Sequence, residues 1–168
     1  MTFLKNYTSD VAVHVTIARI EAVLLRCRVS GITKEYGPNG EMLALIFHIP
    51  SPNGQPLAIR LPANEEAALR ALWLDYVGDD KLSADGNTIM YNGRKLKKKA
   101  HFREQARRTA WKMMQDWIEV QMSMIQMQQA DQLQVFLPYI WDSANQVSFY
   151  DRAKANGFRA LLPEKTDS

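Results

Sequence analysis

The chain has 168 residues, 46% hydrophobic and 23% charged, which allows one well-packed domain or two compact lobes but not two large independent domains. Its 21 Lys and Arg nearly balance 18 Asp and Glu. The longest apolar run, MLALIF at 42–47, falls far short of the roughly 20 residues of a membrane helix, and the lone Cys27 excludes an internal disulfide or thiolate zinc cluster.

The first element is a helix over 16–27. Ile17, Ile20, Val23, Leu24 and Cys27 repeat at three and four residues, and Thr16 stands where a cap belongs. The period then switches to two. Ile32, Lys34 and Tyr36 lead into Gly-Pro-Asn-Gly at 37–40; Leu43, Leu45, Phe47 and Ile49 alternate up to Pro50. Ser-Pro-Asn-Gly at 51–54 turns the chain again, and Leu57, Ile59 and Leu61 complete a third strand. Asn-Gly tolerates positive φ and proline cannot donate to a ladder, so both sites predict hairpins and a three-stranded antiparallel sheet. A second helix follows. Asn64 caps it, Glu65 and Glu66 suit its positive N-terminal dipole, and Ala68, Leu69, Leu72, Trp73 and Tyr76 form its apolar stripe.

Residues 78–93 are polar and glycine-punctuated, an exposed loop with room for a small hairpin turning at Asn92-Gly93. The longest helix is expected over 102–129. One stripe is Phe102, Ala106, Ala110, Met113, Trp117, Val120, Met124 and Met127; a second is Trp111, Met114, Ile118 and Ile125. Two stripes call for a central helix with one narrow wet face, and Gln115 is assigned to that polar face. Shorter helices follow near 132–137 and 148–156, the latter with a Ser148/Asp151 capping box and an Asn156-Gly157 stop. The fold class is therefore α+β: an N-terminal α-β-β-β-α unit (1–77), a polar loop and basic segment (78–101) and a C-terminal helical lobe with one long central helix (102–168).

Charge gives the functional direction. Residues 94–112, RKLKKKAHFREQARRTAWK, carry nine Lys or Arg against one Glu, a net +8, and leave the remaining residues at −5. Such concentration is the footprint of a polyanion partner. Arg94, Lys95, Lys97, Lys98 and Lys99 read as a flexible phosphate clamp leading into a helix start. Arg103 and Arg107, one turn apart, and Arg108 then continue the positive surface along that helix. Tyr91 and Phe102 are candidate stacking groups for unpaired bases. The competing reading is a solvated face paired with acids such as Asp75, Asp79, Asp80 and Asp85.

Catalytic patterns are weak. His14, His48 and His101 have no partner one helical turn away, which argues against a helix-borne zinc site. His14-Val15-Thr16-Ile17 matches half of the two-histidine phosphoesterase motif, but no second histidine supplies the other half. Asp79, Asp80 and Asp85 lack the spacing of a calcium loop. The strand order of 16–77 resembles the double-stranded-RNA-binding domain, yet Asn64, Glu65 and Glu66 occupy the place of that family's lysines, so the activity is not carried over.

The stretches FHIPSPNGQPLAIRLP, REQARRTAWKMMQDWIEVQ and QVFLPY resemble a group of uncharacterised small proteins encoded by bacteriophages and other mobile elements. The most distinctive part is Ala106-Arg107-Arg108-Thr109-Ala110-Trp111 with Asp116-Trp117. The resemblance implies a bacterial or phage setting; it brings no activity, cofactor or catalytic residue with it. The N-terminal MTFLKNYTSD lacks the apolar core of a secretory leader, so the expected location is the host cytoplasm. The combined expectation is a non-enzymatic nucleic-acid-binding protein, for DNA or RNA, with no cofactor or metal. The alternative is a protein-binding inhibitor or accessory subunit acting on an acidic host protein surface. A homodimer through the methionine-rich helix end is compatible with both.

Overall fold

A computed structural model describes residues 4–78, 85–91 and 94–162, with the backbone alone for 89–91 and 94–97. The chain is α+β. Helix α1 (Val13–Arg26) precedes strands β1 (Ser30–Tyr36), β2 (Met42–Ile49) and β3 (Leu57–Pro62), then helix α2 (Glu65–Val77). A hairpin of β4 (Thr88–Tyr91) and β5 (Arg94–Lys98) leads through a 3-10 turn, Lys99–Phe102, into the long helix α3 (Arg103–Gln126). Helix α4 (Gln132–Phe136), short strands β6 (Trp141–Asp142) and β7 (Val147–Ser148) and helix α5 (Phe149–Ala155) follow. Among the described residues no helix is long and apolar enough to cross a membrane.

Contacts group the chain into two compact units of interleaved segments, Met1–Val23 with Ala63–Val120, and Leu24–Pro62 with Gln121–Ser168. This differs from the consecutive stretches 1–77, 78–101 and 102–168 suggested by element order. The unit boundaries fall inside α1 and α3, continuous helices that a reading by loops cannot divide. Helix α2 groups with α3.

The unit holding the sheet is built on hairpins. Gly40 and Gly54 adopt φ +76° and +81°, the left-handed conformation that Asn-Gly turns favour. The order is β1-β2-β3, antiparallel throughout. Leu45, Phe47 and Ile49 lie opposite Leu61, Ile59 and Leu57, and all but Leu57 are buried. The expected alternation fails at one end of β2: Leu43 is exposed while Met42 and Ala44 are buried, and the β1–β2 register shifts beside Leu43, between Glu35 and Tyr36. Phe136 of α4 meets Phe47 edge-on at 5.2 Å, and Gln132 Nε2 donates to the Cys27 carbonyl at 2.7 Å. Arg60 donates twice to Glu35, at 2.7 and 3.3 Å, and lies 4.7 Å above the Trp141 ring. Ser148 caps α5 as expected, accepting from the Asp151 amide.

In the other unit, Asn64 caps α2 by accepting from the Ala67 amide at 3.0 Å. Ala68, Leu69 and Leu72 then pack on Ala106 and Ala110 of α3, bordered by Leu4, Ala63 and Phe102. Burying each leucine contributes about 1.5–3 kcal/mol. Residues before α1 are strapped to α3: Gln105 Nε2 donates to the carbonyls of Tyr7 and Ser9, and Thr109 Oγ1 to that of Asn6. Asn6 Nδ2 and Lys5 Nζ both reach Asp116 at 3.0 Å.

Two helix expectations need correction. Helix α1 starts three residues before Thr16, which is buried inside it, its hydroxyl without a hydrogen-bond partner. On α3, Trp111, Ile118 and Met122 are buried, and so is Gln115, assigned above to the wet face. Conversely Met113, Val120 and Met127 of the first stripe are 39%, 57% and 61% exposed, and Trp117 is half-buried. That stripe is core only at Ala106 and Ala110, where α2 covers it.

Candidate nucleic-acid interface

The first half of the basic segment is a strand. β5, Arg-Lys-Leu-Lys-Lys, pairs antiparallel with β4 in the register Thr88↔Lys98, Met90↔Lys95 and Tyr91↔Arg94. The expected flexible clamp is thus a β-ribbon, its period of two hidden in the sequence by cations on both parities. The ribbon is anchored at its base, where Lys99 N donates to the Asn87 carbonyl at 2.9 Å and Thr88 is buried. The Trp73 indole donates to the Gly86 carbonyl at 2.7 Å. The side chains of Tyr91, Arg94, Lys95 and Lys97 lie outside the described residues, as do Asp79, Asp80, Asn92 and Gly93.

From Lys98 onward the side chains belong to the described residues. Lys98 is exposed and Lys99 half-buried, and among the described residues neither has an acid within ion-pair distance. Phe102 is half-buried and committed to packing, 4.9 Å from the Tyr76 ring and 5.9 Å from that of Trp73.

The helix arginines stand one above another as their spacing requires, but they face acids. Arg103 pairs with Glu66 at 2.9 Å and Arg107 with Glu65 at 3.2 Å. Arg108 pairs with Glu104 at 3.3 Å, and Lys112 with Asp116 at 2.8 Å. Glu65 also accepts from the indole of the fully buried Trp111 at 3.2 Å. The first-turn glutamates of α2 therefore serve both the helix dipole and a ladder of guanidinium groups. Sequence reasoning missed these partners. The available signal was the match between adjacent Glu65-Glu66 and a basic i, i+4 pair.

Asp116 gathers three donors, from Lys112, Asn6 and Lys5. Partial burial pushes its carboxyl up, but hydrogen bonds from Lys112, Asn6 and Lys5 outweigh this and hold it at about 2, below the ordinary 3.8. Its role is to staple the N-terminal strap to α3. Burial pushes the Cys27 thiol up, away from the thiolate that nucleophilic chemistry needs. Among the described residues no three His, Cys, Asp or Glu converge to hold a metal ion. His14 and His101 are exposed, and His48 is half-buried beside Gly31.

The balance of the basic segment follows. Of its nine cations, Arg103, Arg107, Arg108 and Lys112 each have a carboxylate partner. The other five, Arg94, Lys95, Lys97, Lys98 and Lys99, are packed into six consecutive residues of ribbon and turn. Comparison with known proteins finds no matching family model, no similar curated protein and no similar solved structure.

Proposed function

We propose that this chain is a non-enzymatic nucleic-acid-binding protein, and that its phosphate contact is the basic ribbon and turn. Arg94, Lys95, Lys97, Lys98 and Lys99 provide the contact; Arg103, Arg107 and Arg108 brace the helix start beside it. The observation that carries this reading is the segregation of charge. The arginines on α3 are neutralised by glutamates, whereas β5 sets four cations in five residues on a two-stranded ribbon. A ribbon of this width can follow a groove or a strand of phosphates. The setting, a phage or mobile element in the host cytoplasm, rests on the resemblance of the three stretches quoted above.

The test is fluorescence anisotropy of labelled single-stranded DNA, duplex DNA and RNA over a range of salt, wild type against K97E/K98E/K99E. Five neutralised phosphates give a log–log salt slope of about −3.5 on a single strand and about −4.5 on a duplex. Expected is binding with a slope near one of these values that collapses in the triple variant; no binding of any probe at low salt overturns the reading.

A second reading, an inhibitor or accessory subunit of a host protein complex, is favoured by Met113 and Val120, exposed one heptad apart on α3. It predicts a salt-resistant association with a host protein that M113E/V120E abolishes.

A further inference from the structure

We infer that the nucleic acid taken by the ribbon is duplex DNA, entered through its major groove; this rests on the nucleic-acid reading above. β4 and β5 form a two-stranded sheet of their own, separate from the ladder β1-β2-β3. The anchors of the ribbon lie at its base, where the Trp73 indole donates to the Gly86 carbonyl and the Lys99 amide to that of Asn87. From there the ladder runs through Thr88↔Lys98 and Met90↔Lys95 to Tyr91↔Arg94. At ~3.4 Å per residue the reach from Thr88 to Tyr91 is about 10 Å. The major groove is about 8.5 Å deep and about 12 Å wide, and it admits a two-stranded ribbon. The minor groove, about 6 Å wide, takes one only when it is forced open.

The ribbon is also lopsided in charge. β5 is Arg-Lys-Leu-Lys-Lys and β4 is Thr-Ile-Met-Tyr, so every cation is on one strand and its partner carries no charge. A groove presents the same division. Phosphates line its walls, and its floor is base edges that include the thymine methyl. With β5 along a phosphate wall, β4 faces the floor without taking a charge out of water. Other nucleic acids fit less well. A-form RNA has a major groove too deep and narrow for side chains to read. A single strand draws its extra affinity from stacking on aromatic faces, and Phe102, which ends the turn after β5, is committed to packing against Tyr76 and Trp73.

The experiment measures anisotropy of three labelled probes of equal length at one moderate salt concentration: duplex DNA, duplex RNA and oligo-dT. Duplex DNA is measured again with a bulky substituent on pyrimidine C5, which fills the major groove, and again with netropsin occupying the minor groove. Expected is a preference for duplex DNA of about tenfold or more over both other probes. The C5 substituent should weaken binding by about tenfold, and netropsin should leave it unchanged. K95E/K97E, changed on the ribbon alone and checked for folding by thermal melting, should lose the preference. Equal or tighter binding of oligo-dT or duplex RNA overturns the inference while leaving a phosphate contact in place. So does displacement by netropsin with indifference to the C5 substituent, or a duplex preference kept by K95E/K97E that melts like wild type. Should K95E/K97E fail to fold, the wild-type probe series decides the matter. Absence of binding to any probe removes the inference together with the reading beneath it.

Discussion

Glu65 is the residue whose removal tests the central distinction between bracing and ligand-binding cations. Its carboxylate accepts from the buried Trp111 indole and pairs with Arg107, and it sits in the first turn of α2. Glu65→Ala leaves the indole N–H unpaired, a cost of about 1–3 kcal/mol. Loss of a partly exposed ion pair adds about 0.2–1 kcal/mol, and loss of a first-turn acid about 0.3–1 kcal/mol. Together these predict destabilisation of about 3 kcal/mol and a Tm lower by about 6–12 °C for a chain of this size. Glu65→Gln keeps an acceptor for the indole and loses only charge, so about 1 kcal/mol is expected. The assay is urea unfolding followed by tryptophan fluorescence and far-ultraviolet circular dichroism. Coincident transitions are needed before a free energy is read. A loss below about 0.5 kcal/mol for Glu65→Ala, with an unchanged m-value, would refute the reasoning: the glutamate ladder would then not be structural, and Arg107 would return to the list of phosphate contacts.

Glu66→Gln complements this, because its pair with Arg103 is exposed on both sides and should cost under about 1 kcal/mol. A salt slope steepened by about 0.7 on single-stranded DNA would mean that Arg103 joins the clamp once released; the expectation from bracing is an unchanged slope. Asp116 supplies a pH test. A carboxyl held at about 2 instead of 3.8 gives stability that is full above pH 4 and is lost as pH falls through 2. Asp116→Asn should therefore be about 1 kcal/mol less stable than wild type at pH 6, after discount for solvent screening, and the gap should close by pH 2 in urea titrations. Thr16→Val exchanges a buried, unpartnered hydroxyl for a methyl of similar shape and should stabilise by about 1 kcal/mol; a loss would reveal a partner for the hydroxyl. Gly31 adopts φ +60°, and a Cβ there would come within 2.6 Å of His48 Nδ1. Gly31→Ala should cost about 2 kcal/mol, falling to about 1 in a His48→Ala background, where only the backbone strain remains.

What was legible in the sequence is what short-range chemistry decides. Both hairpins announce themselves in Pro-Asn-Gly, and Asn64 and Ser148 cap the helices that follow them because their oxygens reach amides three residues on. The start of α1 was missed because no capping side chain marks it: the first turn closes on the Ala12 carbonyl. A small hairpin was expected here, but residues 94–99 were read as a flexible clamp because four cations conceal a strand whose evidence is pairing with β4. On α3 the sequence shows two apolar stripes and cannot say which one other elements cover. Burial of Gln115 and exposure of Val120 are decided by tertiary packing.

The same limit shaped the reading of the site. A run of like charge says only that repulsion must be relieved, by counterions, by a polyanion or by acids brought from elsewhere in the chain. Residues 103–112 take the third route, with Glu65, Glu66 and Asp116 arriving as partners, and Glu65 and Glu66 lie some forty residues away in sequence. Residues 94–99 differ, since Lys98 and Lys99 have no acid within reach among the described residues and the ribbon concentrates their charge with that of Arg94, Lys95 and Lys97. The proposed phosphate contact is therefore placed on the strand and turn and not on the helix, whose arginines are paired with glutamates.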